Sequence, residues 1–231
     1  MPHWLVIDLE ATTDEGGWPV TEMEIIEIGA TLVDRAGREQ DHFQRFVKPT
    51  RRPLLTPFCR ELTHITQANI DSAQPLSEVW PAFERWLAQH QTRLEGWASW
   101  GDYDRKQLLQ EWQHQQLHSV LGQVPHMNLK QRFAKARRLE RPLGLNAALQ
   151  LAGLQFSGQQ HRALEDARNT ARLLPLLGEA LRAERTRLQR AADEASPDAA
   201  GRDDDAEDLD VNGSSASSYP PNTNNTSRSP P

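Results

Sequence analysis

Two carboxylates, Asp8 and Glu10, interrupt an otherwise apolar run near the start of the chain, WLVIDLEATT at residues 4–13. Residues two apart on a β-strand point to the same face of a sheet, so the strand predicted here projects both carboxylates together. Two neighbouring anions repel each other and resist burial unless a cation lies between them. Because Mg²⁺ prefers carboxylate oxygens, the pair favours a divalent metal site. Taken alone, an Asp-x-Glu sequence is also typical of a solvated surface pair.

Two later segments hold further candidate ligands. WASWGDYDRKQLL supplies Asp102 and Asp104 where a predicted strand gives way to a helix. Asp102 suits a helix N-cap, which leaves Asp104 free to reach toward the first strand, at the strand ends where ligands gather in open α/β sheets. HRALEDARNTARLL places His161 just before a helix and Asp166 about one turn inside it. The alternatives are a surface or capping histidine and a solvated acid that the helix dipole favours.

The elements that must position these residues follow the pattern of an α/β protein with a mixed sheet. Alternation and apolar runs predict five strands, at 3–12, 24–34, 40–49, 94–101 and a short one from 124. Short links join the first three, which predicts an antiparallel meander. Helical periodicity predicts helices at 75–90, 103–117, onward from the fifth strand to 139, 143–154 and 162–192. Pro175 should kink or divide the last of these near residue 174.

The composition restricts the class of protein. No apolar run approaches the ~20 residues of a membrane span, and the N-terminus lacks the basic region of a secretory signal. The single cysteine, Cys59, excludes an internal disulfide framework and a cysteine-based zinc cluster, so we expect a cytoplasmic protein. Residues 193–231 hold nine acids and two arginines, a charge of −7, and the remainder carries +1, which together give the net charge of −6. We therefore predict one domain over 1–192 and a disordered acidic, then Ser/Asn/Pro-rich tail over 193–231.

The chain resembles the DEDDh 3′-to-5′ exonucleases in the order and intervals of three features. These are the acid pair, the aspartate after the fourth strand and the His-x4-Asp of the last helix. The resemblance covers about residues 3–180, and EMEIIEIGATLVD and FCRELTHITQANID are similar to further family segments. DLEATT, SWGDYDRKQL and CRELTHITQ are most similar to the subgroup of histone-mRNA and small-interfering-RNA exonucleases, in which the third acid corresponds to Asp104. No SAP-type RNA-binding domain is recognisable ahead of the nuclease, which leaves the substrates specific to those members open.

The resemblance implies a fold and a reaction. The fold is α/β and RNase H-like, a mixed five-stranded sheet containing the antiparallel three-strand meander, with helices on both faces. The reaction is hydrolysis of single-stranded 3′ ends to nucleoside 5′-monophosphates, with RNA slightly favoured over DNA. Two Mg²⁺ ions, for which Mn²⁺ can substitute, would lie about 3.5–4 Å apart and clamp the scissile phosphate. The implied metal ligands are Asp8, Glu10, Asp104 and Asp166, with Asp8 bridging both ions. The implied general base is His161, since the ordinary histidine pKa of ~6.5 suits that role near neutral pH. All five are the implied catalytic residues.

Residues that hold the terminal nucleotide are implied in the same way. Backbone beside the acid pair would line the pocket, and the LTHIT segment would pack on the last base and sugar, with Leu62 and Ile65 against the base. The implied substrate-binding residues are Leu9, Ala11, Thr12, Leu62, Thr63 and Ile65. Otherwise LTHIT is a simple turn and helix start. The tryptophans of the fourth strand, Trp97 and Trp100, are expected in the core.

A basic run, LKQRFAKARRLER at 129–141, holds six cations and one acid. Such a run is often only a solvated helix face, but beside a nuclease site it could follow a phosphate backbone without sequence preference. The expected partners are single-stranded RNA or DNA 3′ ends and no membrane, and protein partners are not identified by the sequence. Three rival functions stay open: a polymerase-associated proofreading DNA exonuclease, a non-catalytic nucleic-acid-binding module, and a structural α/β domain.

Overall fold

The computed structural model describes residues 3–90, 94–178, 186 and 189–190. The chain divides into two units, Met1–Arg187 and Leu188–Pro231, and every element named below lies in the first. The predicted tail and the domain boundary predicted before it lie outside the described residues. Among the described residues, none of the helices has the length and apolar character that crossing a bilayer requires.

Six strands form one mixed sheet in the described part of the chain, in the order β4-β3-β2-β1-β5-β6. They are β1 (His3–Ala11), β2 (Ile25–Asp34), β3 (Glu39–Lys48), β4 (Gln74–Pro75), β5 (Leu94–Ser99) and β6 (His126–Asn128). The first three form the predicted antiparallel meander, while β5 runs parallel to β1, and β6 to β5. The mixed α/β sheet is confirmed with one strand more than predicted, because two-residue β4 is too short to show alternation.

Seven α-helices are found among the described residues. They are α1 (Pro57–Thr63), α2 (Gln67–Asp71), α3 (Leu76–Ala88), α4 (Tyr103–Gln115), α5 (Leu129–Ala136), α6 (Leu145–Leu151) and α7 (Ala163–Ala171). The first two are short, at seven and five residues. Caps rather than an apolar pattern set them: the side chain of Thr56 accepts a hydrogen bond from the Cys59 N–H and begins α1. The sequence pattern therefore predicts the other helices and offers only a turn and helix start at LTHIT, residues 62–66.

Helices cover both faces of the sheet, as expected. The odd-numbered residues of β1, from Leu5 to Leu9, pack in one core with side chains of α3 and α4. The even-numbered Trp4 and Val6 pack in a second core with side chains of α5, α6 and α7. Asp8 and Glu10 continue the even-numbered series, so they point to the face that α5, α6 and α7 cover.

The last predicted helix is shorter than its pattern suggested. Helix α7 ends at Ala171, and a separate 3-10 helix, Leu174–Leu177, follows with Pro175 in its first turn. Proline cannot donate a backbone hydrogen bond and restricts the residue before it, so the break falls just upstream of Pro175. The predicted division near residue 174 is present, and most of the helix predicted beyond 178 lies outside the described residues.

Candidate active site

Three of the candidate acids meet where β1 ends. Strand β5 lies parallel to β1, so helix α4, which begins after β5, starts beside the carboxyl end of β1. Asp104, in the first turn of α4, is 4% exposed, and its carboxylate accepts a hydrogen bond from the Leu9 N–H at 3.0 Å. Since Leu9 lies between Asp8 and Glu10, this bond brings the third acid to the predicted pair.

The two aspartates around the start of α4 have separate positions. Asp102 occupies the N-cap, as expected, but its side chain is exposed and makes no capping hydrogen bond. Asp104 is buried and turned toward β1. The geometry therefore places Asp104, and not Asp102, with Asp8 and Glu10.

Helix α7 brings the remaining two candidates. The His161 N–H donates to the Asp166 carboxylate at 2.8 Å, and the Asp166 N–H donates to the Arg162 carbonyl at 2.9 Å. These bonds fix the entry of the chain into α7 with His161 in the left-handed region, at a φ of 60°. Glu10, His161 and Asp166 each present one ligand atom, and the three atoms lie within 4.8 Å of one another. The structure thus brings together all five residues that the resemblance implied.

Helix α7 is held against β2, the strand next to β1. The register pairs Asp8 with Gly29 and Glu10 with Glu27. A Cβ on Gly29 would lie 2.1 Å from the carbonyl carbon of Ala163, so only glycine permits this approach of the helix start to the strand. Glu27 is fully buried, and its carboxylate accepts hydrogen bonds from the Ala163 N–H at 3.1 Å and from the Arg162 guanidinium at 2.9 and 3.1 Å. No local sequence pattern indicates this clamp, since Glu27 and Arg162 are 135 residues apart.

Burial and mutual repulsion disfavour the charged forms of the acids at this site. Burial, and then the charges of neighbouring acids, raise the pKa values of Asp8 and Glu10 well above their ordinary range. Burial is also the largest influence on the other two acids and raises the pKa of Asp104 to about 7 and that of Asp166 to about 6. A set of buried anions that disfavours its own charge is compensated by divalent cations.

The electrostatics of His161 favour its neutral form. Partial burial lowers the pKa of the imidazole, and its electrostatic interaction with the nearby His64 lowers it further. The side chain is nevertheless exposed at the cavity, where it can meet a water molecule. His64 is the left-handed residue that ends α1, with a φ of 58°, and no sequence signal predicted its place near His161.

The acids and His161 lie in one open cavity of about 620 Å³. Besides residues of the predicted site, helix α6 with the residue before it and the loop before α7 line this cavity. The lining residues include Trp100, Tyr103, Asn146, Gln150, Phe156 and Gln160. Trp97 is buried in the core as expected, whereas half-buried Trp100 packs against the second core and also faces the cavity. Trp100 follows the strand, which ends at Ser99, and it makes the expected core contact as well as a contact with the cavity.

The residues implied for substrate binding separate into two groups. Leu9 lines the cavity, and Leu62 is half-buried on α1. Ile65 is 1% exposed and packs with Cys59 in a small apolar cluster, so the contact that we expected between Ile65 and a base is not available in this structure. Three further residues are buried and form hydrogen bonds within the protein, through the Ala11 carbonyl and the hydroxyl groups of Thr12 and Thr63.

The donor set fits a hard divalent cation. Four carboxylates and one imidazole supply mainly oxygen ligands, which suit Mg²⁺ or Mn²⁺ better than a thiolate-binding metal. The single cysteine, Cys59, is buried in its apolar cluster and donates weakly to the Ala11 carbonyl, at an S···O distance of 3.7 Å. The described residues therefore offer a carboxylate-rich site for divalent metal and leave the cysteine out of it.

A family model described as Exonuclease matches residues 5–174 of this chain. The chain belongs to the exonuclease family. This exonuclease is 32% identical over 191 residues to ERI1 exoribonuclease 2 of Homo sapiens, an alignment that covers 74% of the chain and 28% of the human protein. The chain thus corresponds to just over a quarter of that relative's length.

Solved structures agree with this assignment. The nuclease domain of 3′hExo, a DEDDh family member bound to rAMP, superposes on the exonuclease with a TM-score of 0.71 at 26% identity, covering 77% of this chain and 92% of that one. A 3′-exonuclease solved for 3′-end specific recognition of a histone mRNA stem-loop gives a TM-score of 0.69 at 25% identity, covering 77% and 64%. The RNase H-like fold and the similarity to the histone-mRNA and small-interfering-RNA exonuclease subgroup are confirmed.

Proposed function

We propose that this chain is a metal-dependent 3′-to-5′ exonuclease that hydrolyses phosphodiester bonds at single-stranded 3′ ends and releases nucleoside 5′-monophosphates. One observation carries the proposal: four carboxylates from three elements and one exposed histidine converge on a single open cavity. Isolated acids of this kind are common on protein surfaces, whereas buried acids with raised pKa values gathered in a cleft mark functional sites.

Each side chain has a defined task in this reaction. Asp8, Glu10, Asp104 and Asp166 would hold two Mg²⁺ ions, with Mn²⁺ able to replace them. When bound, these ions supply activation of the attacking water and stabilisation of the negative charge that develops on the leaving 3′ oxygen. His161 accepts the proton of the attacking water, and its lowered pKa keeps the imidazole neutral, ready to accept that proton near pH ~7.

RNA is the substrate that we favour. The human relative is an exoribonuclease by name. One of the two solved structures contains rAMP, and the other was solved for recognition of a histone mRNA stem-loop. A site that prefers RNA must contact the 2′-hydroxyl of the terminal ribose. The backbone around Leu9, which lines the cavity beside the acids, is the part of the site that we propose for the terminal nucleotide.

The test compares labelled single-stranded RNA and DNA of one sequence, each with Mg²⁺, Mn²⁺ or chelator. We expect stepwise shortening from the 3′ end in metal, faster for RNA, and none in chelator. Asp166→Asn should lower kcat by about 10²-fold or more, as should His161→Asn, in which asparagine tolerates the left-handed backbone. The matched control is Asp102→Asn, because exposed Asp102 makes no capping bond and should keep full activity.

Three outcomes would overturn the proposal or one of its parts. An intact RNA and an intact DNA after incubation with metal would exclude exonuclease activity at single-stranded ends. Full activity of His161→Asn would show that His161 is not the general base, but it would not contradict the proposed metal site. A strong preference for mismatched DNA ends would support a proofreading DNA exonuclease instead.

A further inference from the structure

A band of positive charge adjoins the cavity. We define the basic segment as residues 130–141, which comprise most of α5 and the start of the loop to α6. It contains six cations and one acid, Glu140. Helix α5 packs through Leu129 and Phe133 into the core on the sheet face that also carries Asp8 and Glu10. The basic segment therefore lies on the same side of the molecule as the site.

The basic segment leads directly into the cavity wall. The loop after α5 reaches Gly144, and the residues from Gly144 to Ala147 line the same cavity as the acids. Arg141 is three residues before Gly144, so their Cα atoms are within about 11 Å of each other by the reach of an extended chain. A strand whose last nucleotide occupies the cavity can thus meet this loop as it leaves.

Some arginines elsewhere in the described residues are held by acids. Arg38, Arg52 and Arg168 each form an ion pair, with Asp34, Glu22 and Glu39. Lys135, Arg138 and Arg141 are exposed, and none of them forms an ion pair with any residue in the described ranges 3–90 and 94–178. Their charge is therefore available to an anion from outside the chain.

The backbone at Arg138 allows its charge to be removed. Arg138 follows the end of α5 in the left-handed region, at a φ of 53°, where the Leu139 N–H reaches back to the Ala134 carbonyl at 2.9 Å. Glycine adopts this helix-ending conformation without the steric strain that a side chain brings. Glycine is therefore at least as favourable as arginine for the fold at this position.

We propose that the basic segment binds the phosphate backbone of the nucleic-acid strand upstream of its 3′-terminal nucleotide. This inference rests on the proposed function, because it assigns the path of the substrate of that same site. Arginine presents a planar set of donors that matches a phosphate, and contacts to phosphates carry no sequence preference. The segment therefore strengthens the binding of long strands and has no part in the chemistry at the last bond.

The test is a double variant, Arg138→Gly with Arg141→Gln, measured against a strand of about 20 nucleotides and against a dinucleotide. Binding of the long strand in chelator should weaken about two- to fivefold for each cation removed. The slope of log Kd against log salt should fall in magnitude by about 0.7 per cation. Hydrolysis of the dinucleotide in metal should be unchanged, and the thermal midpoint should not fall, because glycine suits the left-handed position.

The matched control removes the same charge elsewhere. Arg45 and Arg85 are exposed and lie with the core on the opposite face, so Arg45→Gln with Arg85→Gln should leave the Kd of the long strand and its salt slope unchanged. Equal effects of the two double variants, or an unchanged Kd in the first, would overturn the proposal. Binding in chelator does not depend on turnover, so a protein that hydrolyses nothing can still confirm or refute the basic segment.

Discussion

At the scale of single residues, two kinds of buried acid occur in this protein. Burial raises the pKa of Glu24, but the backbone N–H groups of Thr50, Arg51 and Arg52 donate to its carboxylate and bring the net pKa below the ordinary value. Asp8 shows the opposite balance, because its burial and the surrounding acids all raise its pKa. The fold thus stabilises the charged form of Glu24, whereas a divalent cation would be needed to stabilise the charged form of Asp8 at this depth.

Asp104 allows this difference to be measured without metal. Its folded pKa of about 7 is above the ordinary 3.8, so protonated Asp104 favours the folded state. This stabilisation is complete below pH ~4 and is lost as the pH rises through ~7. In chelator, Asp104→Asn should therefore be more stable than the parent at pH ~8, with a thermal midpoint at least about 2 °C higher. The advantage should shrink toward pH ~5.

Calorimetry of both proteins across this range, with and without divalent metal, checks the prediction. Asparagine keeps an acceptor for the Leu9 N–H, so the parent and the variant both retain this hydrogen bond. Metal should reverse the order at pH ~8, since the parent gains more from binding a cation than the variant does. A midpoint difference that is the same at every pH would contradict the raised pKa of Asp104.

At the scale of elements, the site depends on two dockings onto the central strands. Helix α4 is tied to β1 through the hydrogen bond from the Leu9 N–H, and α7 is pressed against β2 at Gly29. The second docking has no room for a side chain, and the buried Glu27 fixes it further by accepting the Ala163 N–H and the Arg162 guanidinium. The position of His161 and Asp166 is therefore set by the contact of α7 with β2.

Gly29→Ala tests this docking. The new methyl group would lie 2.1 Å from the backbone of Ala163 and Leu164, so α7 must move away from β2. We expect a loss of about 1–3 kcal/mol in the free energy of unfolding, and a fall in kcat because His161 and Asp166 move with the helix. Urea denaturation and single-turnover rates measure the two effects.

Gly122→Ala is the control for this prediction. No heavy atom lies within 4 Å of a Cβ built at Gly122, and its φ is not in the left-handed region. The variant should keep the parent's stability and turnover. Equal behaviour of the two variants would mean that the approach of α7 to β2 is not as close as the structure shows.

At the scale of the molecule, the sheet separates the larger apolar core on one face from the cavity on the other. The face with α3 and α4 holds the larger apolar core, and the face with α5, α6 and α7 holds the cavity beside a second core. The described residues that line the cavity lie between Asp8 and Asp166. We therefore expect the proposed reaction to proceed without the predicted tail at 193–231, and the cytoplasmic location that composition suggests stays a prediction.

Removal of residues 193–231 should leave kcat and the thermal midpoint of the remaining chain unchanged. The measurement is the hydrolysis rate of the truncated and full chains on the same labelled strand at low and at higher salt. A faster reaction of the truncated chain that appears only at low salt would indicate that the acidic tail competes with nucleic acid for cations. A lower midpoint would show that the tail belongs to the folded domain, against the predicted boundary.

The sequence by itself determined the types, order and local spacing of the five site residues. Strand periodicity placed Asp8 and Glu10 on one face, and the start of a helix distinguished Asp104 from Asp102, because both rules act over a few residues. Only the tertiary structure decided that Trp100 faces the cavity, that Ile65 is buried away from it, and that Glu27 clamps Arg162. These outcomes depend on contacts between residues far apart in the chain, and burial and charge compensation arise only when distant segments pack together.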